Sequence, residues 1–131
     1  IRDRRGPIVM VTNQWAGSDG DIVAAATQAM GYAKVIGERS WGGVVGIDGR
    51  FDLVDGTSVT QPRYAGWYGS YGWGVENHGV DPDIVVTVSP EDWEADCDVQ
   101  LDAAIAECLR QLDDKPAATA PELPGPAFDR C

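Results

Sequence analysis

The sequence is short of histidine, lysine and cysteine, and each shortage removes a class of chemistry. His78 is the single histidine, so no multi-histidine metal cluster can form within these 131 residues. Lys34 and Lys115 are the only lysines, which limits where an amine base can stand. Cys97, Cys108 and Cys131 are too few and too scattered for a disulfide framework or a zinc site. No apolar run approaches the length that spans a bilayer, and no secretory signal is visible, which points to reducing cytoplasm. Positive charge is also scarce: 10 basic against 21 acidic residues give a net charge of -11. Such a surface repels phosphate backbones and anionic lipid, so neither nucleic acid nor membrane is an expected partner. No metal or cofactor is expected.

What is present is a chain with 44% hydrophobic residues, enough for one packed core and too many for general disorder. It starts at Ile1 and not at Met, and reads as a piece of a longer polypeptide. The organised part is expected over residues 1–113. From 114 to 131 the chain is rich in proline (Pro116, Pro121, Pro124, Pro126) and reads as a disordered or extended tail.

Residues 8–13 (IVMVTN) form a β-branched apolar run, expected as a strand buried on both faces. After WAGSDGD, Ile22, Ala25, Ala26, Ala29 and Met30 repeat at helical spacing, and Gly31 is placed to end the helix. Residues 34–38 (KVIGE) read as a second strand, which completes a βαβ unit and implies an α/β fold with a parallel pair.

Further on, residues 44–47 and 50–54 flank Asp48-Gly49 as a hairpin, and Asp55-Gly56 marks a turn into a strand over 58–61. Residues 62–79, rich in Gly, Tyr and Trp, form a long ordered loop of the kind that carries function. A strand over 84–88 follows. Ser89-Pro90-Glu91-Asp92 starts a helix, with Ser as cap, Pro in the first position and acids in the first turn. A last helix spans about 99–112, with Leu101, Ala104, Ile105, Cys108, Leu109 and Leu112 as its apolar stripe; Cys108 reads as core filler.

Chemistry concentrates at Ala16-Gly17-Ser18-Asp19-Gly20, between strand and helix. A serine at a helix mouth lies beside unpaired backbone N–H groups that can polarise a carbonyl. The small-x-Ser-x-Gly pattern approaches the nucleophile elbow of α/β-hydrolases, with Ala16 in the first place. The competing reading is a plain N-cap, which is the commoner use of Ser before a helix. Glu76 lies in the loop WGVENHGVDPD, where a carboxylate can orient a base; the competing reading is a solvated acid. His78 is two residues away, and a lone loop histidine is more often a bystander. Asp81 and Asp83 read as turn residues around Pro82. Asp19 and Asp21 suggest a cation, but no calcium-loop spacing follows.

Four segments taken together, NQWAGSDGD, VIGERSWGGVVGI, LVDGTSVTQP and GVENHGVDPDI, resemble the C-terminal catalytic domain of the tricorn protease family in order and spacing. The resemblance covers residues 6–112. It implies a ClpP/crotonase-like α/β fold, here as part of a catalytic domain. It also implies a serine peptidase that cleaves short oligopeptides downstream of the proteasome. Ser18 would be the nucleophile, the Asp19 backbone N–H an oxyanion donor, and Glu76 the carboxylate of a Ser-His-Ser-Glu tetrad. Related C-terminal-processing proteases use a Ser-Lys dyad instead, and Gly43 stands where that lysine is expected. The histidine base, its serine partner, the second oxyanion donor and the residue reading the substrate side chain come from upstream sequence in this family. His78 matches a variable position and is not promoted to base. The resemblance therefore implies a chain that is inactive by itself, works with N-terminal domains of the same protease, and belongs to a hexamer. The alternative is a non-catalytic crotonase-like module for assembly or peptide binding, its tryptophans and tyrosines lining an interface.

Overall fold

In the computed structural model, residues 6–119 and Gly125 are described. Strand β1 (Val9–Thr12), helix α1 (Asp19–Ala29) and strand β2 (Lys34–Gly37) follow in order. The two strands are parallel, with Val9 opposite Lys34 and Thr12 opposite Gly37, so the expected βαβ unit is present. Gly31, at φ 57, closes α1 as its sequence position suggested. Strand β3 (Gly46–Asp48) and strand β4 (Gln61–Tyr64) make a separate antiparallel pair. Strand β5 (Ile84–Val85) then joins β2, giving a parallel sheet of order β1-β2-β5.

Asp83 extends that last pairing beyond the strand. Its N–H donates to Val35 O and its carboxylate accepts from the Val35 N–H, both at 2.8 Å. Helix α2 (Pro90–Glu94) opens on a full capping box, in which Ser89 Oγ accepts from the Asp92 N–H and the Asp92 carboxylate accepts from the Ser89 N–H. Those bonds hold the Asp92 carboxyl below the usual aspartate range. Helix α3 (Val99–Asp114) is capped by Asp98, which accepts from the Leu101 N–H at 2.9 Å.

Both α1 and α3 pack on β1 and β2. Val35 and Ile36 are adjacent in β2, point to opposite faces, and are each fully buried, so β2 is covered on both sides. Ala24 and Ala25 of α1 close the main cluster with Val44, Val75 and Val80. Their small side chains let the helix approach the loops that carry the valines.

Several expectations need correction. The first strand is not buried on both faces: it is an edge of the sheet, and Val11 is exposed among the described residues. The buried face of α1 keeps only Ile22 and Ala25 of the expected row, while Ala26, Ala29 and Met30 are exposed. It runs through Asp21, Ala24, Ala25 and Thr27, with Met30 out in solvent. Polar residues on that face find partners, as when Gln28 Nε2 donates to Asp81 O at 2.9 Å and Tyr71 Oη bonds Gln28 Oε1.

The hairpin around Asp48-Gly49 does not form. β3 pairs with β4 instead, and the Asp48 carboxylate lies 3.3 Å from Arg63 across the ladder and 3.5 Å from Arg50. The chain reverses further out, at Asp55-Gly56, so that residue 58 makes only an isolated bridge to Asp52 and the predicted strand over 58–61 begins at its last residue. The strand over 84–88 is limited to two residues, and α3 runs two residues past its predicted end. Leu101, Ile105 and Leu109 of its stripe remain about half exposed and Cys108 is only half-buried, so the stripe is not a closed core. Residues 62–79 begin as β4 and continue as bonded turns. In the tail, residues 115–119 lack regular structure and the predicted disorder beyond them falls outside the described residues, Gly125 excepted.

Candidate active site

The site is built where β1 ends. Asn13 turns the chain: its side-chain Oδ1 accepts from the Trp15 N–H at 3.0 Å and its backbone O from the Ala16 N–H at 2.9 Å. Gly17 follows, and the Trp41 ring lies over it so closely that a Cβ there would collide. Trp41 N–H also donates to Ala16 O at 3.1 Å, which fixes the loop after β2 against this turn.

Ser18 then takes φ 54 and ψ -110, a conformation that L residues rarely adopt, at a cost of about 1–3 kcal/mol. It occupies the N-cap position of α1, yet its side chain makes no cap hydrogen bond. The plain N-cap reading therefore fails: the cap serine is strained and its hydroxyl is left exposed and unengaged by the helix. The next N–H, that of Asp19, has no hydrogen-bond acceptor among the described residues. A hydroxyl and a free helix-terminal N–H thus sit side by side, the pair that attack on a carbonyl and capture of its oxygen require.

Glu76 is no freely solvated acid. Its Oε2 accepts from the Val44 N–H at 2.7 Å and the Val45 N–H at 2.8 Å. Its Oε1 carries no protein bond among the described residues, so one oxygen anchors the group and the other stays open. The Asn77 N–H donates to Gly42 O at 2.7 Å, which fastens the Glu76 segment to the same loop.

His78 is not brought to Ser18 by any bond. Its Nε2 lies 2.8 Å from Asp81 Oδ2, in an exposed pair three residues apart. Lys34 starts β2, at the sheet end opposite the one where β1 runs into Ser18, and pairs with Asp83 at 3.7 Å. Lys115 caps the far end of α3. At Gly43 the Trp41 ring fills the space a Cβ would need, so a lysine does not fit there with Trp41 in place. Neither lysine of this chain is therefore placed to act as a base for Ser18.

Sequence reasoning passed over the roles of Asp21, Ser40 and Trp41. Asp21 was weighed only as a cation ligand, but its carboxylate is fully buried and takes three protein donors: Ser40 Oγ at 2.5 Å, Gly42 N–H at 2.8 Å and Gly43 N–H at 3.1 Å. The available signal was an acid one helical turn ahead of Ala24 and Ala25 on the same face.

Comparison with known proteins identifies relatives of the chain. The sequence profile of peptidase family S41 matches residues 2–86. Tricorn protease homolog 1 of Streptomyces coelicolor is 59% identical over 120 residues, covering 92% of this chain and 11% of that protein. The tricorn protease of Thermoplasma acidophilum is 47% identical over 108 residues, covering 82% of this chain and 10% of that protein. A crystal structure of the tricorn protease superposes with a TM-score of 0.79 at 46% identity, over 82% of this chain and 11% of the other. The chain thus spans about a tenth of the length of these relatives. The chain belongs to peptidase family S41, and the relatives it resembles here are tricorn proteases and a tricorn homologue.

Proposed function

We propose that this chain is the nucleophile-bearing part of a longer, tricorn-type serine peptidase that cleaves short oligopeptides released by the proteasome. The observation that carries the reading is Ser18: a serine in a strained cap position, its hydroxyl not spent on the helix, beside the free Asp19 N–H. Ser18 Oγ attacks the scissile carbonyl carbon and its proton passes to a base. The carbonyl oxygen becomes an oxyanion that the Asp19 N–H stabilises. Collapse expels the amine, which takes that proton from the base, and leaves a Ser18 ester; water then attacks the ester as the base takes its proton and returns it to Ser18 Oγ, releasing the acid.

The base is a histidine from upstream sequence. His78 is engaged with Asp81, and neither lysine lies near the elbow. Glu76 is the tetrad carboxylate, its open Oε1 available to the serine that orients that histidine. A ClpP/crotonase-like fold for the complete domain, a hexameric assembly, contacts with N-terminal domains of the same protease and a cytoplasmic location belong to the same proposal. The free thiols of Cys97 and Cys108 accord with a reducing compartment, and no described helix is long and apolar enough to cross a membrane.

A second reading has one supporting observation. Trp15, Trp41, Trp67, Trp73 and Trp93 are all largely exposed, which suits a non-catalytic module for assembly or peptide binding. Fluorophosphonate treatment followed by mass spectrometry separates the two. A Ser18 adduct is expected in the full-length protein and none in the 131-residue chain alone. An active full-length enzyme without a Ser18 adduct overturns the assignment, and rapid labelling of the isolated chain overturns the missing base.

A further inference from the structure

We propose that Asp21 is a positioning residue for the peptidase reaction: it holds the loop over residues 40–45, and through that loop the Glu76 carboxylate, in register with Ser18. The inference rests on the reading of Ser18 as nucleophile and deepens it.

Four successive backbone N–H groups of that loop, those of Gly42, Gly43, Val44 and Val45, all donate to carboxylates. Asp21 takes the first two and Glu76 the second two. Asp21 lies in the first turn of α1, whose opening bond runs from the Ile22 N–H to Ser18 O at 3.0 Å. One short strut therefore has its near end fixed to the nucleophile's own helical turn and its far end on the open carboxylate. Cross-bracing stiffens it. Ser40 Oγ donates to Asp21 and accepts from the Val80 N–H at 2.8 Å, while the Ser40 N–H donates to Val80 O at 3.1 Å.

The chemistry of Asp21 excludes a direct part in the reaction. The group is fully buried, both oxygens are engaged, and no cation pairs with it among the described residues. A buried carboxylate without a counter-ion is costly, and an apolar residue usually serves stability as well or better. What a carboxylate adds is direction: two acceptors that only one placement of the loop satisfies. The elbow and Glu76 are more than fifty residues apart in sequence, and this strut sets their separation.

The test is made on the full-length protease, with rates expressed per active site titrated to completion by a fluorophosphonate. Asp21→Asn keeps the shape but sets its NH2 against either the Gly42 or the Gly43 N–H, donor against donor. Misplacement on the scale of an ångström lowers rate by roughly 10²-fold, so kcat should fall by about that factor with KM within about twofold. Ser40→Ala leaves the carboxylate and two amide donors, and a smaller fall of about tenfold in kcat is expected. Folded variants that turn over within about twofold of the parent overturn the inference, as does a loss confined to KM. If Asp21→Asn does not fold, Ser40→Ala decides alone. A parent enzyme without a Ser18 adduct sinks the nucleophile reading and this inference together. A labelled parent with fast variants sinks only the role of Asp21.

Discussion

Two irregular stretches of the chain, residues 40–45 and residues 49–60, contrast sharply. In the first, Ser40, Gly42 and Val44 are buried and every N–H from Gly42 to Val45 is bound by a carboxylate from another element. In the second, all residues from 49 to 60 are exposed, Phe51, Leu53 and Val54 among them. Its bonds are mostly local: the Leu53 N–H donates to Thr57 O, the Thr57 N–H to Asp55 Oδ1, and Ser58 Oγ to Asp52. The Asp55 carboxyl is held below the usual range chiefly by the Thr57 N–H. A loop fixed by distant acceptors can hold functional groups in place. One fixed by its own turn can hold only its own shape.

The largest expected effect falls on Ser18, the nucleophile that the first region helps to position. Ser18→Ala in the full-length enzyme should lower kcat for peptide hydrolysis by about 10⁴-fold or more. Leu53→Ser, in the second region, should leave it within about twofold. An equal loss from both would erase the contrast.

Next comes a matched pair of glycines. Gly42 (φ 87) and Gly56 (φ 82) share a left-handed backbone, so alanine at either position costs about 1–2 kcal/mol. A Cβ at Gly42 would also meet Gly79 N at 2.5 Å, whereas nothing lies within 4 Å of one at Gly56. Gly42→Ala should therefore destabilise by at least about 3 kcal/mol in denaturant titrations. Equal shifts in midpoint would show that the first loop is less rigid than its bonds indicate.

Ser89→Ala, which removes the α2 cap away from both regions, should cost about 1 kcal/mol in the same assay. The smallest effect is a pH dependence. The Arg110 guanidinium, with help from Gln111, pulls the Glu107 carboxyl from 4.5 to about 2. A depressed acid stabilises fully above its unfolded value and loses that contribution as pH falls through its folded value. Between pH 4.5 and about 2 the parent should lose more stability than Glu107→Gln, as followed by thermal unfolding. A parallel decline of the two would remove this ion pair from the stability of α3.

Legibility followed the range of the interactions. The βαβ unit was readable because β-branched runs, helical spacing and Gly31 are local signals. The capped start of α2 was readable for the same reason, since Ser89 and Asp92 bond each other across three residues. The hairpin was misread at Asp48-Gly49 because a turn dipeptide says nothing of Arg63, fifteen residues on, which Asp48 meets across the ladder. The face of α1 was only partly read, Ile22 and Ala25 correctly, because apolar spacing cannot anticipate a buried Asp21 or a half-buried Gln28 whose partners lie in other elements.

By itself the sequence determined that an α/β unit places Ser18 at a helix mouth. Its motifs marked Glu76, and neither of its two lysines stands at position 43, where a lysine base would be expected. The tertiary structure alone decided that Ser18 is strained and free of capping, that Trp41 occupies the room a lysine at position 43 would need, and that one loop joins Asp21 to Glu76. The physical reason is that periodicity and caps are set by neighbours in the chain. A carboxylate's partners are whatever donors the fold brings to it.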